Sequence, residues 1–113
     1  MIRIVHMKLS KSEMDSFLGN PYSDMIKFVV DLDRQILALG GEMHSDAEAV
    51  LLKNGSAQKN LWGGNIYPDK PGKDWLEYTS LINIRPSAGN RSQELKDEKL
   101  RARMREIVEK LLP

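Results

Sequence analysis

Asn54-Gly55, near the middle of the chain, is the local signal that most constrains the fold, because both residues tolerate the positive φ angles of a tight turn. As a two-residue turn between strands, it pairs Lys53 with Ser56 and, further out, His44 with Asn65. The sequence therefore predicts a hairpin over residues 43–66. The alternative is a helix over residues 46–53, because the segment 45–48 has the spacing of a capping box and the residues after it favour helix.

The remaining segments predict the element order β-α-α-β-β-β-α. Residues 1–8 alternate as in a strand, and Ser10 and Glu13 have the spacing of a capping box at the start of a short helix. Residues 21–39 carry apolar side chains at helical spacing before Gly40-Gly41, which predicts a long helix with Lys27 on its solvated side. The alternative there is a hairpin that turns at residues 31–34. Residues 75–85 are typical of a strand, and residues 97–112 of an amphipathic helix.

These elements predict a single α+β domain over residues 1–113, with two layers, a mostly antiparallel sheet and helices packed on one face. A length of 113 residues is that of one domain. The absence of cysteine excludes disulfides, thiolate metal sites and a cysteine nucleophile. The first residues show no leader pattern, and every apolar run is far shorter than the roughly 18 residues of a membrane helix. We therefore expect a cytoplasmic protein without membrane contact.

Polar side chains collect on the predicted sheet face opposite the core, since alternate residues of a strand point to opposite sides. With the loop that follows residue 86, they form the candidate binding face: His44, Asp46, Glu48, Asn65, Asn83, Arg85, Asn90 and Arg91. The two arginines suit a phosphate or carboxylate, because a guanidinium group binds such anions through two parallel hydrogen bonds. The alternative is that Arg85 pairs with an acidic residue of the same face.

His44, Asp46 and Glu48 are residue types that bind divalent metals. On a strand, however, next-but-one residues lie roughly 7 Å apart, so three in a row do not converge on one ion. We therefore expect no metal and no cofactor. General acid–base chemistry by His44 beside either carboxylate needs only one histidine poised near neutral pH.

The net charge of +1 is too balanced to indicate nucleic-acid binding by the whole molecule. Its distribution is uneven, with eight acidic and two basic residues in 12–50 but eight basic and five acidic residues in 85–113. Such asymmetry steers partners or self-association, including a homodimer. The leading hypothesis is a non-enzymatic binding or interaction module for a protein or small-molecule partner. The alternative is an enzyme, either a hydrolase or an RNA-cleaving toxin, that uses His44 and Arg85.

Two strings are distinctive: Gly-Gly-x-x-His-x-Asp at residues 40–46 and Asn-Ile-Arg-Pro at residues 83–86. With residues 29–31, 55–56, 61–63 and 89–92, they resemble a family of short prokaryotic proteins that form a domain of unknown function. This resemblance covers almost the whole chain and implies no activity, substrate, cofactor or residue role. The predicted element order is also similar to that of RelE-type mRNA-cleaving toxins. Those proteins are strongly basic, however, and order alone does not define a site.

Overall fold

The computed structural model describes residues 1–113 and contains five strands and three helices in the order β-α-β-β-α-β-β-α. The strands are β1 (Ile2–Val5), β2 (Ile26–Asp31), β3 (Ile36–Gly40), β4 (Leu61–Ile66) and β5 (Leu76–Glu77). The helices are α1 (Lys11–Asp15), α2 (His44–Lys53) and α3 (Glu98–Leu111). All strands pair antiparallel in one sheet of order β1-β3-β2-β4-β5. The predicted α+β class and antiparallel sheet are confirmed, whereas the predicted element order is wrong.

The first correction concerns residues 21–39, which form the β2–β3 hairpin instead of a long helix. The turn needs no glycine because the Asp31 side chain organises it. Its Oδ1 accepts hydrogen bonds of 3.0 Å from the amides of Asp33 and Arg34, and Gln35 takes a positive φ of 54°. The alternative hairpin that turns at residues 31–34 was therefore the correct interpretation.

The second correction concerns Asn54-Gly55, which ends α2 instead of turning a hairpin. Gly55 has a φ of +97°, and its amide donates to the Leu52 carbonyl over 3.2 Å. The Ser56 amide donates to the Leu51 carbonyl over 3.0 Å. These two bonds form the Schellman motif, in which a glycine in the left-handed conformation satisfies the last carbonyls of a helix. Gly55 thus takes a positive φ as predicted, but this conformation ends a helix and does not turn a hairpin.

Helices cover both faces of the sheet, so the domain has three layers and the predicted packing on one face is wrong. One face meets α2 in a small core: Val29, Ala38, Ala47, Leu51 and Leu61, all fully buried. The other face carries the larger core with α1 and α3, including Phe28, Val30, Leu37, Leu39, Met104, Val108 and Leu111. The extra layer follows from the second correction, because the segment predicted as a strand is α2.

The predicted strand over residues 75–85 is also wrong beyond β5. Two single 3₁₀ turns, at Leu81–Asn83 and Pro86–Ala88, follow in an irregular segment instead. The buried side chain of Asn83 pairs with β4 in place of a neighbouring strand. Its Oδ1 accepts from the Gly63 amide over 2.9 Å, and its Nδ2 donates to the Gly63 carbonyl over 3.0 Å. The side-chain amide of Asn83 therefore pairs with both backbone groups of Gly63. A neighbouring strand is not required to satisfy them.

The helices predicted near the two ends of the chain, α1 and α3, are confirmed. The side chain and amide of Ser10 exchange hydrogen bonds with Glu13 in the predicted capping box of α1. Asp97 caps α3 by accepting from the amides of Lys99 and Leu100. The predicted apolar stripe of α3 is buried against the sheet. None of the helices is both long enough and apolar enough to span a membrane.

Candidate functional site

A cavity of about 440 Å³, lined mostly by polar residues and open to solvent, lies on the α2 side of the sheet. It is bordered by the first turn of α2, by strands β2 and β4, and by residues 79–81 of the irregular segment. The side chains that matter for its chemistry are Lys27, His44, Asn65, Thr79 and Ser80, with Tyr22, Glu42, Met43 and Leu81 at its margin. His44 and Asn65 of the predicted face thus lie together, although they are not strand partners.

His44 begins α2 and is only 7% exposed. Its Nε2 lies 2.7 Å from the Gly64 carbonyl oxygen, so Nε2 carries a proton and donates to that oxygen. Burial lowers the pKa of His44 below its ordinary value, and the charge of Lys27 lowers it further against the opposing effect of the Gly64 carbonyl. The imidazole is therefore neutral near pH 7.

Gly63 allows the elements around the cavity to approach β4 closely. A Cβ atom at this position would lie 2.8 Å from Ser80 Oγ and 3.1 Å from His44 Cδ2. The first distance is shorter than real carbon contacts allow. The absence of a side chain at Gly63 therefore brings Ser80 and His44 to the same point of the strand.

Lys27 is the only lysine of β2, and it lies opposite Asn65 in the β2–β4 register. It is half-buried, and burial lowers the pKa of its ammonium group, an effect that the charge of Glu77 partly opposes. Its Nζ lies 5.4 Å from the centre of the Tyr22 ring, and no carboxylate forms an ion pair with it. Lys27 was predicted to lie on the solvated side of a helix. This prediction is wrong, because Lys27 belongs to a strand of otherwise buried residues and lines the cavity.

Asn65 is an oriented amide beside His44 at the cavity. Its Nδ2 donates to Glu77 Oε1 over 2.6 Å and to the Thr79 carbonyl over 3.3 Å, which orients the amide. The residue is 6% exposed, and its Oδ1 is buried without a partner at hydrogen-bond distance. The larger effect of burial lowers the pKa of the neighbouring His44 imidazole, and the Asn65 side chain opposes this effect by raising it.

Asn83, Arg85 and Asn90 of the predicted face are bonded within the protein. The Arg85 guanidinium lies 3.9 Å from the centre of the Trp62 ring and donates to the carbonyls of Gln58 and Leu61. The Asn90 side chain donates to the Asn83 carbonyl and accepts from the Lys96 amide. These residues hold the irregular segment on β4. The two terminal nitrogens of Arg85, predicted to bind an anion, are used for that purpose, whereas its Nε is buried without a partner.

The other three residues of the predicted face lie outside the cavity. Asp46 is exposed and Glu48 is half-buried on α2, where neighbours two positions apart point in different directions. Arg91 is exposed and forms neither a side-chain hydrogen bond nor an ion pair. Conversely, the prediction missed Lys27, Thr79 and Ser80. Lys27 had a usable signal, a lone charge inside the apolar run 26–30, once that run is taken as a strand.

Residues 3–111 match the family described as Protein of unknown function (DUF5674), and the chain therefore belongs to this family. No curated protein and no solved structure matches the chain.

Proposed function

For this member of the DUF5674 family, we propose a non-enzymatic binding module whose cavity beside His44 takes a small polar molecule. The observation that carries the proposal is Lys27, a half-buried cation at the cavity wall that forms no ion pair. The proposed site is smaller than the binding face predicted from the sequence, and it lies between the sheet and the first turn of α2.

The dimensions and composition of the cavity support a small ligand. Cavities that bind small molecules measure roughly 300 to 1,000 Å³ and place a few polar groups among apolar ones. This cavity has a volume of about 440 Å³, and the residues at its wall provide a cation, a neutral imidazole, a hydroxyl and a side-chain amide. A protein partner would instead need a broad exposed surface.

Asn65 is oriented before any ligand arrives. Both bonds of its Nδ2 go to neighbouring residues of the protein, so Oδ1 cannot exchange places with the nitrogen without losing them. Orientation in advance reduces the entropy lost on binding. A ligand would therefore meet an ordered amide at this part of the wall.

The test is a thermal-unfolding screen of the purified chain against amino acids, hydroxy acids, sugars, nucleosides and polyamines. We expect at least one class to raise the unfolding midpoint in a saturable manner, because a ligand that binds only the folded state stabilises it. The variant Lys27→Met should abolish that shift, since it removes the cation at the wall. Its matched control is Lys59→Met, which removes an exposed cation outside the cavity and should retain the shift.

A screen without any shift would contradict the proposal, and so would a shift that survives Lys27→Met. If both variants lose the shift while remaining folded by circular dichroism, the effect is not specific to the cavity and also contradicts the proposal.

An enzyme that uses His44 as general base is the second candidate. Its support is the low pKa of an imidazole that lines the cavity, since a base must be neutral to accept a proton. Arg85 is engaged by backbone carbonyls, which weakens the toxin variant of this idea. Turnover of a bound compound, followed by NMR and lost in His44→Gln, would favour the enzyme. A compound recovered unchanged after long incubation would favour the binding module.

A further inference from the structure

We infer that the exposed face of α2 binds the same face of a second copy of this chain about a two-fold axis. This inference does not depend on the small-molecule site, because it concerns the side of α2 that points away from the sheet. Three observations carry it. They are a neutral centre of the exposed helix face, apolar side chains exposed beside it, and charges that complement themselves across a two-fold axis.

The centre of the exposed face of α2 carries no charge. Ser45, Ala49 and Leu52 lie three or four positions apart, so they share one side of the helix, and all three are exposed. Leu52 is 41% exposed, although it is a large apolar side chain. The outward face of a surface helix normally carries charged and polar residues, so this face has the composition of a covered one.

The irregular segment extends this apolar surface. Its 3₁₀ turn Leu81–Asn83 contacts α2, and Leu81 borders the same cavity as Met43 at the start of the helix. Leu81, Ile84 and Met43 are 62%, 42% and 53% exposed. With Leu52, they are four of the six large apolar side chains that the protein exposes. Apolar surface concentrated on one side of a domain marks an interaction surface.

The charges of the face identify the partner as a second copy. Asp46 and Lys53 are exposed near opposite ends of α2, and neither forms an ion pair within the chain. They lie three positions before and four positions after Ala49. Two α2 helices that cross antiparallel at Ala49 therefore place each Asp46 opposite the Lys53 of the other copy. The small side chain of Ala49 lets the two helices approach closely at the axis.

The test is sedimentation-velocity ultracentrifugation of the full chain at concentrations from about 5 to 500 µM, which cover the affinities of small interfaces. We expect a concentration-dependent shift from monomer to dimer, because a contact made by one ten-residue helix and a short segment is small. A chain that stays monomeric over the whole range overturns the inference.

Ala49→Arg assigns the dimer to the face of α2. It should weaken dimerisation at least tenfold, because it places two bulky like charges at the axis, and the exposed position keeps the fold intact. The matched control is Ala102→Arg, the same change at an exposed alanine of α3 on the other side of the sheet, and it should dimerise like the wild type. A dimer that survives Ala49→Arg overturns the inference, and so does an equal loss in both variants.

Charge reversal tests the antiparallel arrangement. Asp46→Lys and Lys53→Asp each place like charges opposite one another and should weaken dimerisation about threefold or more. The double variant restores opposite charges and should recover the wild-type dimer, with circular dichroism confirming that α2 is intact. A double variant that is folded but no stronger than the single ones overturns the arrangement. Lys27→Met, which tests the small-molecule site, should leave the dimer unchanged, so the two proposals fail separately.

Discussion

Three buried asparagines show what is unusual about the cavity at the scale of the residue. The side chains of Asn83 and Asn90 use both their donor and their acceptor within the protein. Asn65 bonds through its donor, and its Oδ1 has no partner at hydrogen-bond distance. Buried polar groups are normally paired, and the other two buried side-chain atoms without a partner are Asp31 Oδ2 and Arg85 Nε. Of these three residues, only Asn65 lines the cavity.

His44 makes the stability of the fold depend on pH. Because its pKa in the folded state lies below the ordinary value of 6.5, the unfolded chain takes up a proton at a higher pH than the folded chain does. The free energy of unfolding should therefore fall as the pH drops below that value, and level off below the lowered pKa. Urea unfolding between pH 8 and pH 5 measures this, and His44→Gln should lose that part of the decline.

The matched control is His6→Gln, at the other histidine, which is exposed after β1. It should keep the decline of the wild-type chain. A His44→Gln profile that is parallel to the wild-type profile would contradict the assigned effect of burial.

At the scale of the element, Asn54-Gly55 explains why some local sequence signals predicted the structure correctly and others did not. The pair indicates that the chain needs a positive φ, but a hairpin turn and a Schellman motif both need one. The distinction lay in the spacing of buried residues before the pair: His44, Ala47 and Leu51 lie at helical intervals. The capping box of α1 and the stripe of α3 had no such competing structure, and both predictions were correct.

The prediction of a helix over residues 21–39 was wrong for a related reason. Their apolar residues satisfy a helical period, but a strand buried on both faces is also a continuous apolar run, and period alone does not separate the two. The deciding contact is the Asp31 side chain, which organises a turn without glycine. The position of Lys27 in the cavity followed from this hairpin and was missed with it.

Gly55→Ala tests the role assigned to the end of α2. No atom lies within 4 Å of the position of the new Cβ, so the cost is backbone strain alone. We expect a loss of about 1 to 2 kcal/mol in the free energy of unfolding. Gly55→Asn should lose less, because asparagine tolerates the left-handed region. Urea unfolding of both variants measures the difference, and equal stability of Gly55→Ala and the wild type would contradict the assigned cap.

Asn83→Ala tests the side chain that pairs with β4. The variant leaves the buried amide and carbonyl of Gly63 without their partner, and each unpaired group costs about 1 to 3 kcal/mol. We therefore expect a loss of about 2 kcal/mol or more on urea unfolding. Arg91→Ala is the control from the same segment, and it should change stability by less than about 0.5 kcal/mol because Arg91 is exposed. Similar effects of the two variants would contradict the structural role of Asn83.

The cavity is a property of the whole molecule, because its wall comes from residues far apart in the chain. Lys27 enters from β2, His44 from α2, Asn65 from β4 and Ser80 from the irregular segment. The sequence predicted that His44 and Asn65 lie together, but for a wrong reason, as strand partners. In the structure the first turn of α2 lies over β4 near Asn65, and the hydrogen bond from His44 to the Gly64 carbonyl holds it there. Contacts of this kind depend on layer packing, which the local pattern does not contain.

The most direct test of the binding site is the two-dimensional NMR spectrum of ¹⁵N-labelled protein, recorded with and without the compounds that shift the unfolding midpoint. The account predicts that the side-chain amide of Asn65 and the backbone amides of Lys27, His44 and Ser80 change most. Changes confined to the opposite side of the sheet, beside α3, would contradict it, as would a spectrum that does not change.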